Sequence, residues 1–273
     1  MSFSVRPPAV AGTFYPAAPR SLRRVVRESV QGVTPSPTAI AAVVPHAGLA
    51  YSGSAAGRVL GSVPLPAIIV ILAPNHTGVF GTPGVASVST QDEFHVPTGS
   101  VGVATAWVDR LCQLTPLVER FAGAHRNEHA IEVELPFLVE LAPSARIVPI
   151  IIPWDDWHAC RSLGASIAKL VASESERALL IASSDMTHYE SATHAKVKDE
   201  LALACLRQLD GERLLETCRR EHISMCGRAP TATVIEAARL LGATTAQVVD
   251  YRHSGMVTGD DENVVSYAAV VIR

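Results

Sequence analysis

The chain has 273 residues, 48 % of them hydrophobic and 18 % charged, with a formal net charge of −3 and a mean hydropathy of +0.24. This composition excludes a disordered chain and supplies a large core, and its scattered basic residues leave no electrostatic footprint for nucleic acid. No stretch reaches the roughly 18–20 uninterrupted apolar residues of a membrane span, the N-terminal MSFSVRPPAVAGTFYP lacks the form of a signal peptide, and five irregularly spaced cysteines, at 112, 160, 205, 218 and 226, predict no disulfide framework and a reducing cytoplasm.

In chain order, the first predicted element is a helix over 21–31, then a strand over 38–44 and a helix over 54–60. A strand over 67–73 precedes the segment 81–99, which reads as a hairpin or loop excursion. A helix over 101–111, a helix over 128–141, a strand over 145–152, a helix over 157–173 and a strand over 177–182 follow. Helices over 192–209, 211–221 and 230–241 lead to two closing strands, 246–251 and 263–272. The central strands are rich in Val, Ile and Leu without polar alternation, as strands covered on both faces are. The alternation of strands and helices predicts a single α/β domain with a central, mostly parallel or mixed β-sheet flanked by helices.

Ligands of open α/β sheets gather beyond the carboxyl ends of the strands. After strand 38–44 comes Pro45-His46-Ala47-Gly48. After strand 67–73 comes Pro74-Asn75-His76-Thr77-Gly78, and after strand 177–182 comes Ser183-Ser184-Asp185-Met186-Thr187-His188-Tyr189. Three strand ends therefore carry a histidine, and parallel neighbours would bring the imidazoles into one crevice. Histidine is the commonest metal ligand and the usual acid–base group near neutral pH, so a metal or acid–base site is expected there. Cys226 precedes the helix over 230–241, where a helix N-terminus and neighbouring Arg228 favour thiolate. The other four cysteines fall within predicted helices and read as small apolar core residues.

A rival set, His125, His129 and Glu132, has the i, i+4, i+7 spacing of one helix face and reads as a solvated or supporting face in preference to a metal site. Glu128 and Glu134 read as ordinary helix carboxylates, with Glu128 also able to reach the crevice. Tyr51-Ser52-Gly53 lacks a base placed to activate the serine, and HExxH, Walker A, GxGxxG and GxSxG signatures are absent.

The segments RPPAVAGTFYP (6–16), PHAGLAYSG (45–53), APNHTG (73–78), EHAIEVELPFL (128–138), SSDMTHY (183–189), MCGRAP (225–230) and YRHSGMVTGDDENVVSYAAV (251–270) together resemble the Memo family, whose bacterial and archaeal members are called AmmeMemoRadiSam system protein B. The resemblance implies a fold similar to LigB-type class III extradiol dioxygenases. It also implies a redox-active metal, iron(II) or copper with zinc possible, on His46, His76 and Cys226, in a pocket lined by Asp185 and His188. In the dioxygenase-like reading His188 is the general base or acid and Asp185 orients it. Tyr51, Asn75 and Ser184 would donate hydrogen bonds to oxygen or substrate, and His129 is placed in the substrate pocket. A thiolate replaces the carboxylate of LigB-type sites and shifts metal preference, so activity is not inherited with the fold. Glu134 stands where relatives often carry glutamine or histidine and is expected at the pocket rim. The alternatives are a protein binding a peptide or metabolite, and a zinc-dependent hydrolase. The resemblance further suggests a pathway shared with a radical SAM protein; the oligomeric state stays open.

Overall fold

Strands without polar alternation need cover on both faces, and the computed structural model, which describes residues 3–35 and 37–273, supplies it. The two N-terminal residues of the stretch read for a signal peptide lie outside the described residues. In chain order the elements are β1 (Val5–Arg6), α1 (Pro19–Val30), β2 (Ala41–Val44), α2 (Leu49–Leu60), β3 (Ile68–Pro74), β4 (Ala86–Val88), β5 (Glu93–Val96), β6 (Gly99–Val103), α3 (Thr105–Leu114), β7 (Val118–Arg120) and α4 (Ala122–Arg126). A short 3-10 turn, Glu132–Glu134, leads into α5 (Leu135–Leu141), then β8 (Arg146–Ile152), α6 (Trp157–Ser173), β9 (Ala178–Ser183), β10 (His188–Glu190), α7 (Ala192–Arg207) and α8 (Gly211–Arg220). The chain closes with α9 (Arg228–Leu240), β11 (Ala246–His253), α10 (Gly255–Thr258) and β12 (Val264–Ile272).

The sheet runs in the order β1-β5-β6-β8-β3-β9-β2-β12-β10. Its centre, β8-β3-β9-β2, is parallel, and β12 closes one side antiparallel to β2. The mixed sheet flanked by helices is the predicted architecture. The chain crosses from β2 to β3 past a gap that β9 later fills, so β3, β9 and β2 lie side by side with their carboxyl ends on one edge. That edge carries the residues after Val44, Pro74 and Ser183.

Three predicted helices start at other residues than expected. Helix α2 starts at Leu49, five residues before the predicted 54, because the Gly48 carbonyl accepts from Tyr51 N–H (2.8 Å) and Ser52 N–H (3.1 Å). Its glycines lower helix propensity, yet Gly57 is where α1 comes close: a Cβ there would stand 2.3 Å from the Ser29 carbonyl oxygen. The predicted helix over 101–111 begins instead as strand β6, which pairs antiparallel with β5 and parallel with β8, before α3. The 81–99 segment thus contains β4, β5 and the turn of a hairpin. The predicted helix over 128–141 is regular only from Leu135, with Pro136 in its first turn; residues 128–131 are taken up by the site described below.

Two buried polar networks fix the peripheral segments. Arg6, 1 % exposed, donates to the backbone oxygens of His125 (3.0 Å) and Glu128 (2.7 Å) and pairs with buried Glu132. Glu132 also accepts from Ala9 N–H (2.9 Å), Val10 N–H (3.0 Å) and Tyr15 O–H. Asp199 accepts from Thr187 N–H and Oγ1–H, Tyr251 O–H and Ser266 Oγ–H, tying α7 to β11 and β12. Cys160, Cys205 and Cys218 are buried, and Cys112 half-buried, within helices. No helix of the described residues is long and apolar enough to cross a membrane.

Candidate metal centre

His46 leaves the end of β2 and is 1 % exposed. Its backbone N–H donates to Asp185 Oδ1 at 2.9 Å, and its Nδ1 lies 2.8 Å from Ser183 Oγ. Ser183 has one hydroxyl proton, which goes to the Ala130 carbonyl at 2.9 Å. Ser183 Oγ therefore accepts at His46, Nδ1 carries the proton, and Nε2 presents its lone pair. Burial foremost, then the neighbouring histidines, holds His46 well below the usual imidazole range, so the ring is neutral, as a ligand must be.

His76 follows β3. Its ring Nδ1 is 2.8 Å from Glu128 Oε1 and its backbone N–H donates to Glu128 Oε2 at 2.7 Å. A carboxylate only accepts, so Nδ1 again carries the proton and Nε2 is free. Burial raises the Glu128 carboxyl, but the hydrogen bonds and charge of His76, the Ala130 N–H and His129 leave it below its ordinary value. Carboxylate–histidine pairing of this kind fixes ring orientation and raises ligand basicity.

His129 completes the cluster. It stacks on His76 with centroids 4.5 Å apart and stands 5.5 Å from His46, with Phe14 on it at 4.5 Å. Burial first, and the charge of His76 second, push it down to about 4. One ligand atom from each of His46, His76 and His129 lies within 4.8 Å of the others. Cys226 adjoins this group, its Sγ 3.2 Å from His46 Nε2 and 3.2 Å from the Asp185 N–H that donates to it.

The rival set does not share a helix face. Chain geometry breaks after α4: buried His125 turns Nε2 to the Ser87 carbonyl (3.1 Å), Glu132 is bound by Arg6, and only His129 reaches the cluster. Glu128 and Glu132 are buried rather than solvated. Glu134 is also buried, away from any rim. Burial foremost pushes its carboxyl well above the carboxylate range, with Ser183 opposing and Asp185 adding to the rise.

Among the remaining expected residues, Asp185 is buried at the cluster and serves the backbone of His46 and Ala47. Burial raises it to about 7, opposed by those two N–H groups. It makes no hydrogen bond to His188, whose buried Nδ1 has no partner among the described residues and whose backbone N–H goes to Ser224 Oγ. Ser184 is committed to the fold, donating to the Asp185 carbonyl (2.8 Å) and accepting from Gly227 N–H (3.0 Å). Asn75 donates Nδ2–H to the Val79 carbonyl and accepts from Thr77 Oγ1–H. Tyr51 is 39 % exposed on α2. The thiolate expected at Cys226 is corrected: burial, with Asp185 second, pushes the thiol up. Arg228 pairs with Asp155 instead, and α9 begins at Arg228 with Gly227 as its cap. A bound cation would be needed to hold the thiolate.

Glu128 does reach the crevice, as the sequence allowed, at His76; sequence reading missed its orienting role, Ser183 at His46, and Arg6 with Tyr15 as anchors beneath them. The signal was present in SSDMTHY, EHAIEVELPFL and RPPAVAGTFYP, but only contacts between distant segments show what each residue does.

Fold and site together define an α/β protein with a clustered three-histidine group suited to a metal ion at the carboxyl edge of a mixed sheet, consistent with the LigB-type dioxygenase-like architecture. The profile of the Memo-like protein family matches residues 6–271. A MEMO1 family protein of Methanopyrus kandleri is 36 % identical, with 98 % of this chain and 99 % of that protein covered. One from Aquifex aeolicus is 37 % identical, with 98 % of each covered. The chain belongs to the Memo family. A crystal structure of an uncharacterized Escherichia coli K12 protein superposes with a TM-score of 0.46 at 15 % identity, covering 76 % of this chain and 86 % of that one.

Proposed function

We propose that the chain binds a redox-active metal, iron(II) or copper, through His46, His76 and Cys226, and acts as a dioxygenase-like oxidoreductase on a small substrate. The observation that carries this reading is the pair of proton-fixed imidazoles. Ser183 and Glu128 turn the Nε2 lone pairs of His46 and His76 outward, and Cys226 Sγ stands 3.2 Å from the first of them. Two nitrogens and a sulfur suit soft or borderline transition metals, and the donor set fits such an ion. His129 is a further nitrogen at the same place, as a ligand or as the wall against which substrate packs.

When bound, the metal would supply Lewis-acid and electron-transfer chemistry. This chain's residues supply the rest. Asp185, held near pH 7 by burial, can carry a proton at its carboxyl at working pH. His188, lowered mainly by burial, is neutral and able to accept one. Phe14 covers His129 and helps exclude water from that face.

Metal content by mass spectrometry on protein purified without oxygen or chelator tests the reading, wild type beside His46→Ala and Cys226→Ser. Stoichiometric iron or copper absent from both variants supports it. Full metal in Cys226→Ser overturns the ligand set, and stoichiometric zinc with hydrolysis independent of oxygen overturns the redox assignment.

A further inference from the structure

We infer that the cavity beside Cys226 is a subsite for the oxyanion of a small-molecule ligand, held by Arg228. The cavity measures about 540 Å³ beyond the ends of β3 and β8, and its walls include Asn75, Asp155, Cys226 and Arg228. That volume is within the range of small-ligand pockets. Cys226, whose Sγ lies 3.2 Å from His46 Nε2, and Asn75, which precedes His76 in the chain, line the cavity, so it adjoins the histidine cluster. The inference rests on the proposed function only for what the ligand's other end meets.

One edge of the Arg228 guanidinium is left open at this cavity. Arg228 Nε donates to Asp155 Oδ2 at 2.8 Å and its Nη2 lies 2.6 Å from the same oxygen. Nη1 has no partner among the described residues. Arg219 Nη2 also approaches Asp155 Oδ1, at 4.0 Å. Two guanidinium groups thus approach the Asp155 carboxylate, while the neighbouring Asp156 carboxylate is engaged in capping α6 through Ala159 N–H. The first turn of α9, which begins at Arg228, contains no acidic residue and has no side-chain cap, so its backbone adds to the positive potential.

Asn75 is a neutral amide, and both ends of it are used within its own loop. The Arg228–Asp155 pair is 35 % and 42 % exposed, and a pair so wet is weakly held. A ligand oxyanion can therefore take up the free edge of the guanidinium, whose fork matches carboxylate and phosphate alike. A simple surface ion pair tying α9 to the loop after β8 would be indifferent to added anions, and there the two readings part.

The test is calorimetric titration of inorganic phosphate, and separately of succinate, into the protein as purified, with Arg228→Gln and Asp155→Asn beside wild type and metal content measured for each. At least one anion should bind, and which one does assigns phosphate or carboxylate. Arg228→Gln should weaken binding about tenfold or more while keeping wild-type metal content. Asp155→Asn should tighten it, because the competing carboxylate charge is gone. No binding of either anion, undiminished binding in Arg228→Gln, or weakening in Asp155→Asn would each overturn the inference. Metal retained in Cys226→Ser, with anion binding still lost in Arg228→Gln, would defeat the metal assignment and leave this subsite standing.

Discussion

Ser183→Ala is the substitution that asks most of the candidate centre. Ser183 is fully buried, and its hydroxyl both takes the proton side of His46 Nδ1 and donates to Ala130. The change removes two hydrogen bonds and leaves a ring N–H and a carbonyl oxygen without partners. Each such loss costs about 1–3 kcal/mol when desolvation is included, so destabilisation of about 2–6 kcal/mol is expected, with a lower midpoint in urea. The effect on the metal is separate. Without Ser183 nothing dictates which imidazole nitrogen of His46 is protonated, and loss of an orienting partner lowers metal affinity by about 10–100-fold. Competition against a chromophoric chelator measures that affinity, and urea denaturation of the metal-free protein measures the stability. Lowered stability with unchanged affinity would refute the tautomer argument and reduce Ser183 to a structural residue.

Gly227→Ala places a Cβ 2.3 Å from the Ser183 carbonyl oxygen and 2.4 Å from Ser184 Cβ; overpacking of about 1–3 kcal/mol and displacement of Cys226 are expected, read as lower thermal stability and lower metal occupancy together. Arg6→Met leaves Glu132 buried without its cation and should cost about 3–5 kcal/mol, measured by urea denaturation. Asp185 is raised by burial to about 7 from 3.8, so the fold favours its protonated form. That contribution is complete below about pH 4 and is lost as pH rises to about 7. Metal-free Asp185→Asn, which keeps an acceptor for His46 N–H, should gain stability relative to wild type across that window, by at most about 4 kcal/mol; a pH-independent difference between the two would contradict the buried-acid assignment.

The sequence by itself determined the architecture and the strand-end histidines. Unbroken apolar runs such as 67–73 have one physical solution, a strand covered on both faces, and parallel strands put the residues that follow them on one edge. His46 and His76 were legible for that reason. Helix starts were less legible, since Gly53 looks like a poor helix former until Ser29 of α1 is seen packed against it. Only the tertiary structure decided the rest. It set His129 with His46 and His76 while sending His125 and Glu132 elsewhere, because the turn after α4 breaks the helical period on which their grouping depended. It turned Arg228 to Asp155, which removed the expected support for a Cys226 thiolate. It also buried Glu128 and Ser183 against the two rings. Imidazole protonation, carboxyl ionisation and thiol state depend on burial and on partners more than 50 residues away in the chain, and local sequence does not contain those distances.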